Sequence, residues 1–197
     1  YSSAASDVYK RQLFGGVNHA FAAIEMACMD IQGKAAGRPV CDLLGGKIRE
    51  DVALAAYLFY RHPNELSQGG ISNPEEMSAY AAEMIALHGF KTLKMKAGVL
   101  APAEELATLI ELRDKFPDTN IRVDPNGAWS VGTALSFANK TRELNLEYLE
   151  DPVWGMRGMA RVNSQCPWLP LASNMSVATP DDFSNAIALN AVDIILV

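Results

Sequence analysis

Four short segments of the chain carry residues able to do chemistry, and they recur at a nearly constant step. They are Lys94-Met95-Lys96, Asp124-Pro125-Asn126, Glu150-Asp151-Pro152 and Ser173-Asn174; Lys96, Asp124, Glu150 and Asn174 are separated by 28, 26 and 24 residues. Asp124, Glu150 and Asn174 offer hard oxygen donors with no His or Cys among them, a set that suits Mg²⁺ rather than zinc. Any one of the three could simply sit in a turn and cap the next helix, but a regular step of all three is not explained that way. Lys94 and Lys96, at positions i and i+2 of a strand, project to one face with Met95 on the other. Two ammonium groups side by side near a cation are expected to lower each other's pKa, leaving one able to act as a base near neutral pH. In isolation the same pair would read as strand-end lysines reaching into solvent. A lysine base beside a divalent cation points to removal of a proton next to a carboxylate, with the cation stabilising the charge that develops.

The elements that must position these groups read as alternating strands and helices. Apolar runs of strand length lie at Val52–Tyr60, Phe90–Lys96, Ile121–Asp124, Leu146–Glu150, Leu169–Asn174 and Val192–Val197. Between them, Asn73-Pro74-Glu75-Glu76 opens a helix with an N-cap, an N1 proline and acidic residues in the first turn. Met77, Tyr80, Met84 and Ile85 form its buried face, and Gly89 ends it. A second helix spans about Pro102 to Phe116 with Leu106, Leu109 and Ile110 inward. A third is capped by Ser130 and carries Leu135, Phe137 and Ala138, and Thr179-Pro180 starts another. The stretch from Glu150 to Cys166 reads as irregular and partly helical. Such alternation with short turns implies βαβ units and a parallel sheet. The even step suits a (β/α) barrel better than an open doubly wound sheet, and no Gly-rich phosphate turn follows the first strand. Six strands are expected, preceded by a helix from Asn18 whose apolar positions Phe21, Ile24, Cys28 and Ile31 share a 3.6-residue period. Cys41–Gly46 then closes that region as a short turn. Residues 1–12 show no apolar period and are expected to be a non-native or disordered extension.

Composition excludes several classes. The 197 residues are 49% hydrophobic and 20% charged, with a net charge of −6, as in ordinary globular proteins. No basic footprint for nucleic acid exists, and no run of about 18 apolar residues is present to span a membrane. Cys28, Cys41 and Cys166 form no CxxC pair, so a disulfide framework is not expected and a reducing cytoplasm is the default location.

The segments HAFAAIEMACMDIQGKAAGRPVCDLLGG, YLFYRH, GFKTLKMKAGVL, RVDPNGAW, YLEDPV and ASNM together resemble the enolase superfamily and, within it, its glucarate dehydratase (acid-sugar dehydratase) subgroup. The resemblance runs from about Asn18 to Val197. It implies an α/β fold, a partial TIM-like (β/α)7β barrel of about six strands preceded by the helical end of an α+β capping domain. Residues 13–46 would be the tail of the cap and 47–197 the truncated barrel. It implies Lys96 as the base, Lys94 as its electrostatic partner and Asn126 as a substrate-contacting or polarising group. Asp124, Glu150 and Asn174 would hold Mg²⁺; asparagine at the third position, in an SNM setting, is the subgroup's pattern where the wider family more often has an acid. The implied reaction removes the C5 proton of a glucarate-like diacid and eliminates the C4 hydroxide, and the implied assembly is a homo-oligomer when complete. The family's later His–Asp dyad would fall at or after Val197, and His19, His62 and His88 do not replace it. A full barrel needs about 250 residues. The alternatives are therefore another sugar-acid dehydratase of the superfamily, or a catalytically inactive barrel fragment lacking the dyad.

Overall fold

The computed structural model describes residues 3–63 and 69–196, with side chains from Ala20 onward. The chain divides into two compact units, Tyr1–Ala53 and Leu54–Val197. In the first, α1 (Ser3–Ala36) leads through a turn into α2 (Val40–Leu43). The helix therefore begins well before Asn18 and takes in most of the stretch expected to lie outside the fold. That stretch holds only non-breaking residues between Ser3 and Gln12, so intrinsic propensity permits a helix even without an apolar stripe. Phe21, Ile24 and Ile31 are exposed, so the periodic face of α1 is not a buried one.

The second unit is a six-stranded parallel sheet: β1 (Ala56–Leu58), β2 (Thr92–Lys96), β3 (Asn120–Asp124), β4 (Tyr148–Glu150), β5 (Leu171–Ser173) and β6 (Ile194–Ile195). The strands lie side by side in chain order. A doubly wound sheet reverses its order at a switch point; an unbroken order with a helix between each strand and the next is the arrangement of a (β/α) barrel. Helices α3 (Pro74–His88), α4 (Pro102–Lys115), α5 (Val131–Lys140), α6 (Met156–Gln165) and α7 (Pro180–Leu189) supply the crossovers. All six strands fall within the expected runs and are shorter than them, except that β3 starts one residue early. The segment read as irregular before Cys166 contains α6.

Local chemistry starts the helices where the sequence says. Asn73 accepts the amide of Glu76 at 2.9 Å, Ser130 that of Thr133 at 3.1 Å and Thr179 that of Asp182 at 3.2 Å. Gly89 ends α3 at φ 68°. Gly98, just past β2, also has a positive φ of 78°, and a Cβ there would stand 2.7 Å from both Pro125 O and Ala128 Cβ. Only glycine lets the exits of β2 and β3 approach this closely.

The core lies between the sheet's outer face and the helices, around Leu93, Met95, Ile121, Val123, Leu149, Leu171, Met77, Leu109 and Met159. The inward face of α4 is Glu105, Thr108, Leu109 and Leu112; Ile110 sits off that face and is exposed. No helix among the described residues is long and apolar enough to cross a membrane. Cys28, Cys41 and Cys166 are free thiols.

One core hydroxyl makes stability pH-dependent. Tyr60 donates to Thr108 Oγ1 at 2.9 Å. Burial, opposed by that bond and reinforced by Glu105 and Glu104, pushes its pKa up to about 12 from an ordinary 10.0. Between those values the folded chain holds a proton that the unfolded chain has released. This contribution is thus whole below pH 10 and lost as pH rises towards 12. Urea titrations across that range should show a flatter alkaline decline for Tyr60→Phe than for the parent; identical slopes would contradict it.

Candidate active site

The alternation of β2 sorts its side chains. Leu93 and Met95 are fully buried against the helices, while Lys94 and Lys96 project from the opposite face. Register carries that face across the sheet: Tyr57 pairs with Lys94, Lys94 with Arg122, Arg122 with Tyr148, and Lys96 with Asp124. Lys96 Nζ donates to Asp124 Oδ2 at 2.5 Å and to Asn126 Oδ1 at 3.2 Å. Lys94 Nζ donates to Glu150 Oε2 and stands 3.2 Å from Asp124 Oδ2. Asp124 Oδ1 accepts the amide of Asn126 at 2.9 Å, which holds Asn126 in a left-handed conformation (φ 52°) with its side chain turned to Lys96. Asp124 and Glu150 are 1% and 2% exposed.

Five of the six residues singled out from sequence thus form one bonded cluster at the exits of β2, β3 and β4. Asn174 stands at the next exit. It follows β5, two positions after Ala172, which pairs with Glu150. Its backbone amide is fixed by Asp151, and its exposed side chain takes no part in the bonds joining the other five.

Lys94 departs from expectation. Burial pushes its pKa down, but the bonds to Glu150 and Tyr57 and the charges of Asp124 and Glu150 outweigh it, holding the ammonium above the ordinary lysine value. The sequence shows the lysine pair; it does not show that each ammonium meets a carboxylate. Glu150 is lifted above the ordinary glutamate value by burial, with Lys94 opposing and Asp124 adding to the shift. Lys96 is the more accessible lysine, 19% exposed along its side chain against 9% for Lys94. A molecule approaching from solvent meets Lys96 first.

Two further residues belong to this cluster. The Tyr57 ring lies beneath both ammonium groups, 5.2 Å from Lys94 Nζ and 5.7 Å from Lys96 Nζ, within cation–π range. Its signal was its place between Ala56 and Leu58, which the unbroken apolar run hides. Asp151, 1% exposed, bonds across to the turn after β5. His62 and His88 do not join them. His88 packs on Phe90, 5.4 Å between ring centroids, where the chain runs into β2. His62 is exposed after β1. His19 lies outside the residues with described side chains.

The profile of the enolase C-terminal domain-like family matches residues 76–197, and that of the mandelate racemase/muconate lactonizing enzyme N-terminal domain matches residues 2–45. The chain belongs to the enolase superfamily. Within the superfamily it is 42% identical over 180 residues to a Streptomyces coelicolor protein named "Probable glucarate dehydratase", covering 87% of this chain and 41% of that one. It is 29% identical over 188 residues to the L-Ala-D/L-Glu epimerase of Clostridium acetobutylicum, covering 91% and 48%. It superposes on an enolase from Thermobispora bispora DSM 43833, solved complexed with magnesium and formate. There the TM-score is 0.79 at 45% identity, covering 88% of this chain and 42% of that one. The chain spans less than half the length of these superfamily relatives.

The donor set fits a hard divalent cation such as Mg²⁺. Two buried carboxylates converge from neighbouring strand exits, an amide oxygen is available at a third, and no soft donor is among them. Among the described residues no group of three or more His, Cys, Asp or Glu is arranged to hold a metal.

Proposed function

We propose that this chain carries the base and cation site of a Mg²⁺-dependent acid-sugar dehydratase, with D-glucarate as the preferred substrate and 5-keto-4-deoxyglucarate as the product. The observation that carries the reading is the packing of Lys94 and Lys96, on one strand face, against the buried carboxylates of Asp124 and Glu150. The 42% identity to a protein named as a glucarate dehydratase supports the substrate class.

In this reading Asp124, Glu150 and Asn174 would hold Mg²⁺, which when bound would supply positive charge to stabilise a substrate carboxylate whose α-carbon loses a proton. Lys96, the more accessible member of the pair, takes that proton on Nζ as the neutral amine and becomes an ammonium. Lys94 stays charged and adds electrostatic stabilisation from beneath. Asn126, bonded to Lys96, orients that nitrogen and faces the substrate. Breaking the bond from C4 to its hydroxyl then requires a proton for the departing hydroxide. Proton abstraction and elimination are therefore separable, and the groups on β2–β5 serve the first.

The same half-site would serve an epimerase, and the epimerase relative makes that comparison necessary. The purified chain, with Mg²⁺ in D2O, should be offered D-glucarate, L-idarate, galactarate and L-Ala-L-Glu, with α-hydrogen exchange followed by NMR and α-keto acid by semicarbazone absorbance. Exchange is expected with the sugar diacids and not the dipeptide. Exchange confined to the dipeptide would overturn the acid-sugar reading while leaving the base and cation roles intact.

A further inference from the structure

We infer that Asp151 is a positioning residue that sets the place of Asn174, so that the affinity of the cation site depends on a carboxylate that does not touch the cation. The inference rests on the reading of Asp124, Glu150 and Asn174 as the cation's donors.

Asp151 follows Glu150 directly, yet its side chain takes the other direction. Its backbone is left-handed, φ 39°, a conformation disfavoured for residues other than glycine and held only where surrounding bonds fix it. Those bonds reach two neighbouring strand exits. The Asp151 amide donates to Ala172 O at 2.9 Å, and its carbonyl accepts the amide of Gly127 at 2.6 Å. Its Oδ1 accepts the Ser173 hydroxyl at 2.5 Å, and its Oδ2 accepts the amides of Asn174 and Met175 at 3.1 and 3.2 Å. Ser173 Oγ in turn accepts the amide of Ser176 at 2.9 Å.

Every amide from Asn174 to Ser176 is therefore held, directly or through Ser173, by one buried carboxylate. Three donors from one turn engage its two oxygens, the pattern of a scaffold for that turn. Asn174 has no side-chain bond of its own within the cluster, so this backbone attachment is what fixes the point from which its side chain reaches. The exits of β3, β4 and β5, which carry the three candidate donors, are tied together at Asp151. Groups that orient ligands from behind typically change metal affinity by about 10- to 100-fold when removed.

Asp151→Asn is the discriminating substitution. It keeps the shape and tolerates the left-handed backbone, but its NH2 either faces the Asn174 and Met175 amides, donor against donor, or donates to Ser173 Oγ, which reverses that bond and leaves a neutral amide oxygen on the two backbone amides. Mg²⁺ affinity, measured by calorimetry on the whole chain, should fall by about tenfold or more. Amide exchange at Asn174 and Met175 should accelerate without Mg²⁺ present. Ser173→Ala, which leaves both amides on Oδ2, should weaken Mg²⁺ less than Asp151→Asn. Asn163→Ala, which removes a 3.1 Å bond to Asn190 O where the chain runs into β6, controls for loss of stability and should leave Mg²⁺ affinity unchanged. Mg²⁺ binding by Asp151→Asn within about twofold of the parent, set against the 10- to 100-fold range above, would overturn the positioning role and leave the donor assignment standing. No Mg²⁺ binding by the parent chain would overturn the donor assignment and this inference together.

Discussion

Lys96→Ala abolishes exchange of the hydrogen next to the carboxylate of a sugar diacid: a loss of about 10³-fold is expected, in the range a positioned general base supplies. Lys96 is the more accessible member of the pair, and both of its bonds, to Asp124 and Asn126, hold its Nζ at the exit of β2. Alanine removes the proton acceptor while leaving Lys94 to neutralise Glu150 and Asp124. The fold should therefore survive, as circular dichroism and the thermal midpoint would show. Retained exchange in Lys96→Ala, with Lys94→Ala losing it instead, would reverse the two roles.

Lys94→Met gives the second large effect, and on stability. The Lys94 ammonium and the Glu150 carboxylate are both nearly inaccessible, with side chains 9% and 2% exposed. Removing one partner of a buried ion pair leaves the other charge uncompensated, at a cost of about 3–5 kcal/mol. Here Asp124 remains as well, so two carboxylates face each other with only Lys96 beside them. Urea unfolding in EDTA should show that loss. Mg²⁺ should then stabilise Lys94→Met more than it stabilises the parent, because a cation at the carboxylates replaces the missing positive charge and competes with one ammonium instead of two. Lys94→Met/Glu150→Leu should recover much of the loss, since an apolar pair can replace a buried ion pair. A single variant within about 0.5 kcal/mol of the parent would contradict the burial account.

The fold was legible because its signals are local. Asn73, Ser130 and Thr179 announce three helices by capping chemistry, and each strand is a short apolar run followed by a turn. The cluster was legible for a related reason: strand exits in a barrel point to one place, so residues 28 and 26 positions apart become neighbours. What escaped was set by partners distant in sequence. The upward pKa shift of Lys94 depends on Glu150, 56 residues away. Asp151 stands in the sequence only as the neighbour of Glu150, and the role of its oxygens as acceptors emerges once Asn174, 23 residues on, is brought alongside. Tyr57 lay inside a run in which every residue is apolar, so no alternation distinguished the face it shares with the lysines. Ile110 was misplaced because helical spacing fixes a face only when its neighbours Glu105 and Thr108, polar yet buried, are counted with it.

A lysine base and a cation site that act as one unit make hydrogen exchange depend on both at once. The purified chain in D2O with D-glucarate should exchange the C5 hydrogen when Mg²⁺ is present. Exchange should cease when EDTA removes the cation, and also when Asp124→Asn or Glu150→Gln removes a donor. Exchange that proceeds equally in EDTA, or that persists in both donor variants, would show that the lysines act without the carboxylate site and would contradict the account.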